Sequence, residues 1–358
     1  MGTDKWLLGL MSGTSMDGID AALIKSDGHN VTETGATLSY DYTPAQRTLL
    51  EGVMGEGKDV QDTEAQMTRW HHDAVMALLD KANLAPDDIE LIGFHGQTTF
   101  HDPSRRITIQ IGDGDLLAKL SGIPVINDFR KADVAAGGEG APFAPLYHQA
   151  LAQELEKPLV VLNIGGVSNV TIVGANGELL ATDCGPGNGV LDTWVERCGL
   201  GDYDKDGALS LGGTPDFALI DKWLTRDFFQ KPVPKSADRW DFDVLADVQD
   251  KTPQDGAATL VGFTAMAIAH TLAQYPHDLN VVIVCGGGRK NPAIMAALIE
   301  QNIGEIKTAE RLGWQGDDIE AQAFAYLAVR TKLGLPISFP LTTGVPEPMT
   351  GGRIAYPM

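Results

Sequence analysis

The sequence predicts an α/β protein in two domains, and three observations carry that prediction. Residues 7–24 (LLGLMSGTSMDGIDAALI) and 160–173 (VVLNIGGVSNVTIV) each read as an apolar strand, a glycine-bearing turn and a second apolar strand. Residues 281–292 (VVIVCGGGRKNP) read as an apolar strand that runs through three glycines into a helix. A chain of 358 residues has room for roughly two domains, and 43% apolar residues fill a core in each.

In the first turn, Asp17-Gly18 is a pair suited to positive φ. Backbone N–H groups around Gly13, Thr14 and Ser15 can converge on one point there, and the hydroxyls of Ser12, Thr14 and Ser15 add donors, which makes a nest for an anion. Residues 31–42 read as a further strand, and Thr43-Pro44 as the cap and first position of a helix. A longer helix follows from about Thr63, where Thr63 and Gln66 have capping-box spacing and Met67, Trp70, Ala74, Ala77 and Leu78 share one face. His71, His72 and Asp73 lie in it, but adjacent helical residues point different ways, which argues against a shared metal.

Three short apolar strands come next, at 91–97, 107–111 and 124–130. The first ends in His-Gly-Gln with Thr98 and Thr99 behind it, and the third ends in Asn127, Asp128 and Arg130. Polar groups just past strand ends are where open α/β sheets bind ligands. Taken singly, each also reads as an ordinary loop polar, and His95 as a satisfied turn histidine.

Residues 137–145 (GGEGAPFAP) break the composition and suit a crossover between domains. A helix over 146–156 leads into the second glycine-turn strand. Asn176-Gly177 closes another hairpin, whose return strand, 178–182, runs into Asp183-Cys184-Gly185-Pro186-Gly187-Asn188-Gly189. That puts Asp183 at a strand end, before a flexible loop and a helix from Asn188. Residues 202–216 and 231–242 read as loops around short helices, and 257–272 as a buried apolar helix. Residues 317–333 form an amphipathic helix with Glu320 in its first turn, where a Glu also simply complements the helix dipole.

A formal charge of -21 argues against nucleic acid and against anionic membranes as partners. No apolar run approaches a membrane span, and residues 1–6 lack the basic and apolar regions of a signal peptide. Cys184, Cys198 and Cys285 form no C-x-x-C pair, which fits a reduced compartment, so the expected location is cytoplasmic. There is no G-x-x-x-x-G-K-[ST], and Gly112 and Gly114 lack the third glycine of a dinucleotide fingerprint.

Two glycine-turn hairpins in separate halves, followed by a late strand–GGG–helix, resemble the actin, hexokinase and heat-shock ATPase superfamily. The resemblance implies two related α/β domains flanking an active-site cleft and closing on ATP, with a phosphate hairpin from each and the late glycines beside the adenosine. Within that superfamily, GLMSGTSMDGIDAALI, HGQTT, INDFR, NIGGVSN, TDCGPGN, CGGG with Asn291-Pro292, GDDIEAQAFAYLA and TGGRI together resemble the anhydro-N-acetylmuramic acid kinase family, end to end. Lys235-Ser236 also fits that pattern.

The resemblance implies a kinase that uses ATP and water to open the 1,6-anhydro ring of 1,6-anhydro-N-acetylmuramic acid while phosphorylating its 6-oxygen. The products are N-acetylmuramic acid 6-phosphate and ADP, in peptidoglycan recycling. The family's general base aligns with Asp183. Its ATP hairpin aligns with Gly13, Thr14, Ser15, Met16, Asp17, Gly18, Ile19 and Asp20, joined by Gly165 and Gly166 and by Gly286, Gly287 and Gly288. Mg²⁺ is expected with the phosphates, with Asp17 and Asp20 as candidate holders through water, although Asp17 also shapes the turn. Thr98, Arg130 and Glu320 are the candidates for gripping the sugar, and the planar fork of Arg130 suits the lactyl carboxylate. The expected domains are 1–135 with about 340–358, and 136–339, crossing at 137–145 and at 336–344. A homodimer is implied by the resemblance.

The chemistry fits these residue types. Opening an acetal with water ordinarily takes two groups, one to activate water and one to protonate the departing oxygen. Here the γ-phosphoryl group captures that oxygen, so one carboxylate is enough, and Asp183 suits the role. Two other readings compete: a nucleotide-gated actin-like binding protein without sugar turnover, and a hydrolase pairing Asp183 with Glu320. Three phosphate-type glycine turns have no purpose in a plain glycosidase.

Overall fold

The computed structural model describes residues 5–237 and 239–358; residues 1–4, within the 1–6 stretch read for a signal peptide, and Asp238, within 231–242, lie outside them. The chain divides into two compact units, Met1–Glu154 with Asp318–Met358, and Leu155–Asp317. Among the described residues no helix is long and apolar enough to cross a membrane.

The first hairpin gives β1 (Trp6–Met11) and β2 (Gly18–Ser26), followed by β3 (Val31–Asp41), β4 (Ile89–Phe94), β5 (Gln97–Asp102), β6 (Ile107–Ile111) and β7 (Val125–Asn127). The second gives β8 (Leu159–Ile164) and β9 (Val167–Val173), followed by β10 (Leu179–Pro186), β11 (Val281–Cys285), β12 (Glu305–Thr308) and, back in the first unit, β13 (Arg353–Ala355). The sheet of the first unit has the order β13-β7-β4-β1-β2-β3, and that of the second β10-β9-β8-β11-β12. In both, an antiparallel meander of three strands is extended beyond its first strand by two parallel strands. The two units therefore share a five-strand topology, to which the first adds β13 antiparallel to β7, in line with the related α/β pair that the resemblance implies. The second strand pair of the first unit, β5 with β6, stands apart as its own ribbon.

The divisions fall at 154/155 and 317/318, where the sequence suggested 135/136 and 339/340. Residues 137–145 stay with the first unit because the Glu139 N–H donates to the Thr343 carbonyl (2.6 Å) and the Gly140 N–H to Asp133 (2.6 Å). The Ile319–Lys332 helix joins the same unit through two strand glycines. Gly9 and Gly93 are register partners on β1 and β4. A methyl on either would overlap a backbone carbonyl of that helix, Ala321 for Gly9 and Phe324 for Gly93. The helix thus sits on bare backbone, and its residues from Ala321 to Arg330 are all buried, so it is not the amphipathic helix expected.

Thr43 caps the Pro44–Gly52 helix in a reciprocal box with Gln46, as Thr43-Pro44 predicts. The next helix, Gln61–Ala82, begins two residues before Thr63, so Thr63 lies buried inside it and forms no capping box. His71 in that helix is fully buried, its Nδ1 2.9 Å from the Met67 carbonyl and its ring against Phe94. Burial pushes its pKa down to about 4. It is a core residue, and among the described residues no three His, Cys, Asp or Glu side chains cluster as a metal cage.

Candidate functional site

In both sheets the parallel strands deliver their polar loops at their carboxyl ends, the usual place for a ligand in an open α/β sheet. In the first unit these are the segments after β1, β4 and β7. In the second they are the segments after β8 and β11.

The turn between β1 and β2 runs from Ser12 to Asp17. The Met16 N–H donates to the Gly13 carbonyl (3.1 Å), and Met16 is the residue at positive φ (55°). Gly18 is not: it opens β2, and a methyl there would press on the Tyr40 carbonyl at 2.5 Å. Thr14, Ser15 and Asp17 are exposed. Ser12 is buried and spends its hydroxyl inside, donating to Gln97 Oε1 (2.7 Å) beside the Tyr42 hydroxyl (3.0 Å). It is therefore a strut of the turn and not one of its outward donors. Gln97 closes the brace, its Nε2 donating to the Gly13 carbonyl at 3.1 Å. The sequence alone marks neither Gln97 nor Tyr42 for this task, although Gln97 stands within HGQTT. Ile19 is in the core, and Asp20 accepts from Ser39 at 2.7 Å. Asp17 lies 3.8 Å from Arg47.

Arg130 and Glu320, far apart in the chain, line one cavity of about 130 Å³ in the first unit. Its other walls are apolar, among them Met11, Pro142, Phe143, Ala323 and Phe324. Arg130 is only partly exposed, and burial lowers its pKa to about 10 against the opposing charges of Glu320 and Asp133, so it stays cationic at neutral pH. Glu320 sits in the first turn of its helix and is exposed to solvent. Crowding by protein pushes its carboxyl pKa up, Arg130 pulls it down, and Asp20 adds to the rise. Thr98 is not among the residues lining that cavity; it lies on β5, where its hydroxyl accepts from Gln110 at 3.3 Å.

His95 completes this site. It follows β4 and is 4% exposed, and its Nε2 accepts from Arg130 Nε (3.1 Å) and Nη2 (2.9 Å). Its Nδ1–H donates to the Gly96 carbonyl at 2.8 Å, and its ring lies 4.7 Å from that of Phe324. Burial, then the charge of Arg130, hold its pKa well below the ordinary histidine range, so the imidazole is neutral.

In the second unit, Asp183 lies within β10 and not at its end, because the strand continues through a bulge between Asp183 and Gly185. Register aligns Asp183 with Asn169 of β9, and Asn169 with Asn163 of β8. Cross-strand neighbours share a face. These three form a partly exposed polar row in mostly buried strands. The 235–237 segment fixes the base of that row. The Asp183 N–H donates to the Lys235 carbonyl (2.9 Å), and the Ala237 N–H donates to Asp183 Oδ2 (2.8 Å). Burial pushes the Asp183 carboxyl up to about 6, with the Ala237 N–H pulling the other way. Lys235 turns its ammonium inward, 4.5 Å from the centre of the Phe228 ring and 3.1 Å from the Phe228 carbonyl.

The Gly165-Gly166 turn is held from behind by the next glycines: Gly187 and Gly189 N–H donate to the Gly166 carbonyl (3.0 and 3.1 Å), and Asn188 N–H to that of Gly165 (2.6 Å). The glycines expected to hold the nucleotide then divide by what their missing side chains would meet. At Gly286 and Gly288 a methyl would overlap Asn163 and Ile164, so packing alone demands glycine. At Gly287 it would come 3.3 Å from Asn188 Nδ2. At Gly13 and Gly165 nothing comes closer than 3.7 Å, and at Gly166 nothing lies within 4 Å. None of these three has positive φ. Neither strain nor packing requires glycine at these three positions.

The family model for anhydro-N-acetylmuramic acid kinase matches residues 5–357. Curated proteins of that name are similar over almost the whole chain. One from Bradyrhizobium diazoefficiens is 47% identical over 98% of this chain and 99% of its own. One from Caulobacter vibrioides is 47% identical over 97% and 98%, and one from Acidiphilium cryptum is 48% identical over 98% of each. Among solved structures, a ROK family glucokinase from Streptomyces griseus in complex with glucose and AMPPNP aligns with TM-score 0.42 and 14% identity, covering 90% of this chain and 98% of its own.

Proposed function

The chain belongs to the anhydro-N-acetylmuramic acid kinase family, and from that premise we propose which of its residues carry the reaction. The protein is an enzyme, an ATP-using kinase of the anhydro amino sugar recycled from peptidoglycan. In the scheme we assign to it, water adds to the anomeric carbon and the bond from that carbon to the bridging 6-oxygen breaks. The 6-oxygen takes the γ-phosphoryl group and ADP leaves. Asp183 accepts the proton of the attacking water. The remaining work is positioning and charge stabilisation.

One observation carries this reading. Asp183 is half-buried with an amide N–H on one oxygen, and its pKa near 6 leaves it ionised at neutral pH yet more basic than an ordinary aspartate. For the nucleotide we propose the Gly13–Asp20 turn, Gly165-Gly166 and the Gly286, Gly287 and Gly288 segment. Mg²⁺ would neutralise the phosphates, with Asp17 and Asp20 reaching it through water. Arg130 takes the lactyl carboxylate, and Glu320 and Thr98 the hydroxyls or the acetamido group. A cytoplasmic homodimer is part of the same reading, and sedimentation tests the dimer.

The test of the scheme is product analysis in oxygen-18 water. We expect ADP and sugar phosphate in equal amounts, with label at the anomeric carbon. Label in the phosphate, or sugar opening without ATP, overturns it.

A further inference from the structure

We propose that His95 is a positioning residue that sets the guanidinium of Arg130 for a substrate carboxylate. The inference rests on the reading of Arg130 as the partner of the lactyl group. Arg130 has five N–H donors. Two go to Nε2 of His95 and one to the Gly140 carbonyl. That leaves one on each terminal nitrogen without a hydrogen-bond partner among the described residues, and such a pair matches the two oxygens of a carboxylate.

What makes the imidazole suited to this is its fixed tautomer. The Gly96 carbonyl can only accept, so it holds the proton on Nδ1 and leaves Nε2 as the acceptor. A neutral acceptor orients the guanidinium without neutralising it. A carboxylate in the same place would form a closed ion pair and compete with the substrate. The ring is itself wedged against Phe324, one turn along the helix from Glu320, so the cavity's cation is keyed to the element that supplies its anion.

Two substitutions separate positioning from mere packing. His95→Asn retains an amide near the Nδ1 position and loses the acceptor for Arg130; His95→Gln carries an oxygen to about the Nε2 position. Each is assayed for kcat/KM on the anhydro sugar acid and on the same sugar with its lactyl carboxylate converted to the neutral amide. Where turnover of the amide is slow, its inhibition constant against the acid supplies the second value. Arg130→Ala is the control, and melting temperatures are recorded throughout.

We expect His95→Asn to lose about tenfold on the acid, mostly through KM, and less than about threefold on the amide, with His95→Gln recovering most of the loss. Equal losses on both substrates, or no loss on the acid, overturn the proposal. If Arg130→Ala also fails to distinguish acid from amide, the Arg130 reading falls and takes this inference with it. If Arg130→Ala distinguishes them and His95→Asn does not, only the positioning role falls. Should His95→Asn not fold, full activity of a folded His95→Leu would equally overturn it.

Discussion

Two sheets built on the same five-strand core handle charge in opposite ways. The first unit keeps its polar groups on loops beyond β4 and β7, and there Arg130 is answered by His95, the Gly140 carbonyl and the nearby charges of Glu320 and Asp133. The second unit bulges its third strand and holds Asp183 inside the sheet, where the Ala237 amide is what opposes the cost of burial. A charge held among partners is suited to gripping a ligand. A buried carboxylate with little compensation is suited to taking a proton. The same scaffold also differs beneath: β1 and β4 meet their helix with Gly9 opposite Gly93, whereas β8 and β11 meet as Val161 with Ile283 and Leu162 with Val284.

The largest expected effect breaks the contrast at that glycine pair. Gly93→Ala drives a methyl into the Phe324 carbonyl. Overpacking ordinarily costs about 1–3 kcal/mol, and meeting backbone in place of a yielding side chain should push the cost above that range. We expect little folded protein, as read by circular dichroism and thermal melting. A Gly93→Ala protein with unchanged melting temperature would remove the basis for docking the Glu320 helix on the sheet.

Next comes Asp183→Asn, which should lower kcat by about 10²–10⁴ while leaving nucleotide and sugar binding in place. The same change should raise stability, and the sign follows from the pKa. Burial lifts the folded carboxyl from 3.8 to about 6, so the stability it contributes is complete below pH 3.8 and is lost as pH rises through 6. At pH 8 the Asn variant is relieved of that cost, on the order of 2–3 kcal/mol, and melts higher; near pH 3.8 the advantage disappears. A variant that is both inactive and less stable at pH 8 would mark Asp183 as structural.

A smaller test uses the wild-type protein. If Asp183 is the base, kcat/KM should fall tenfold per pH unit below about 6, since the protonated carboxyl cannot accept the water's proton. An acid limb near 4 would mean an ordinary aspartate does the work, and the contrast between the units would lose its function.

Much of this was legible in the sequence. The two glycine-turn hairpins and the strand into GGG carry local patterns, and local patterns survive folding. What was not legible depends on partners distant in the chain. Nothing in residues 317–333 says that their helix leaves the unit before it; that follows from Gly9 and Gly93, more than 200 residues upstream. Ser12 reads as a phosphate donor until Gln97 and Tyr42 take its hydroxyl. His95 reads as a turn histidine until Arg130 arrives from the strand beside it. A glycine in the sequence also cannot say whether fold or ligand requires it.

That last ambiguity leads to the mildest prediction. Gly288 and Gly166 both belong to turns expected at the nucleotide, yet a methyl at Gly288 would overlap Ile164 while one at Gly166 meets nothing within 4 Å. The fold of the second unit should tolerate Gly166→Ala with a melting temperature within a degree or two, because an added methyl in open space strains no backbone at this φ and slightly restricts the unfolded chain. If a phosphate closes on that backbone, the same methyl stands where the ligand comes, and KM for ATP should rise about tenfold, the scale of one lost hydrogen bond to a charged group. Unchanged KM for ATP at full stability would mean that Gly166 faces solvent for no reason connected with the nucleotide. The turn would then be only a tight connection braced by Gly187, Asn188 and Gly189, and the parallel between the two hairpins would be one of shape alone.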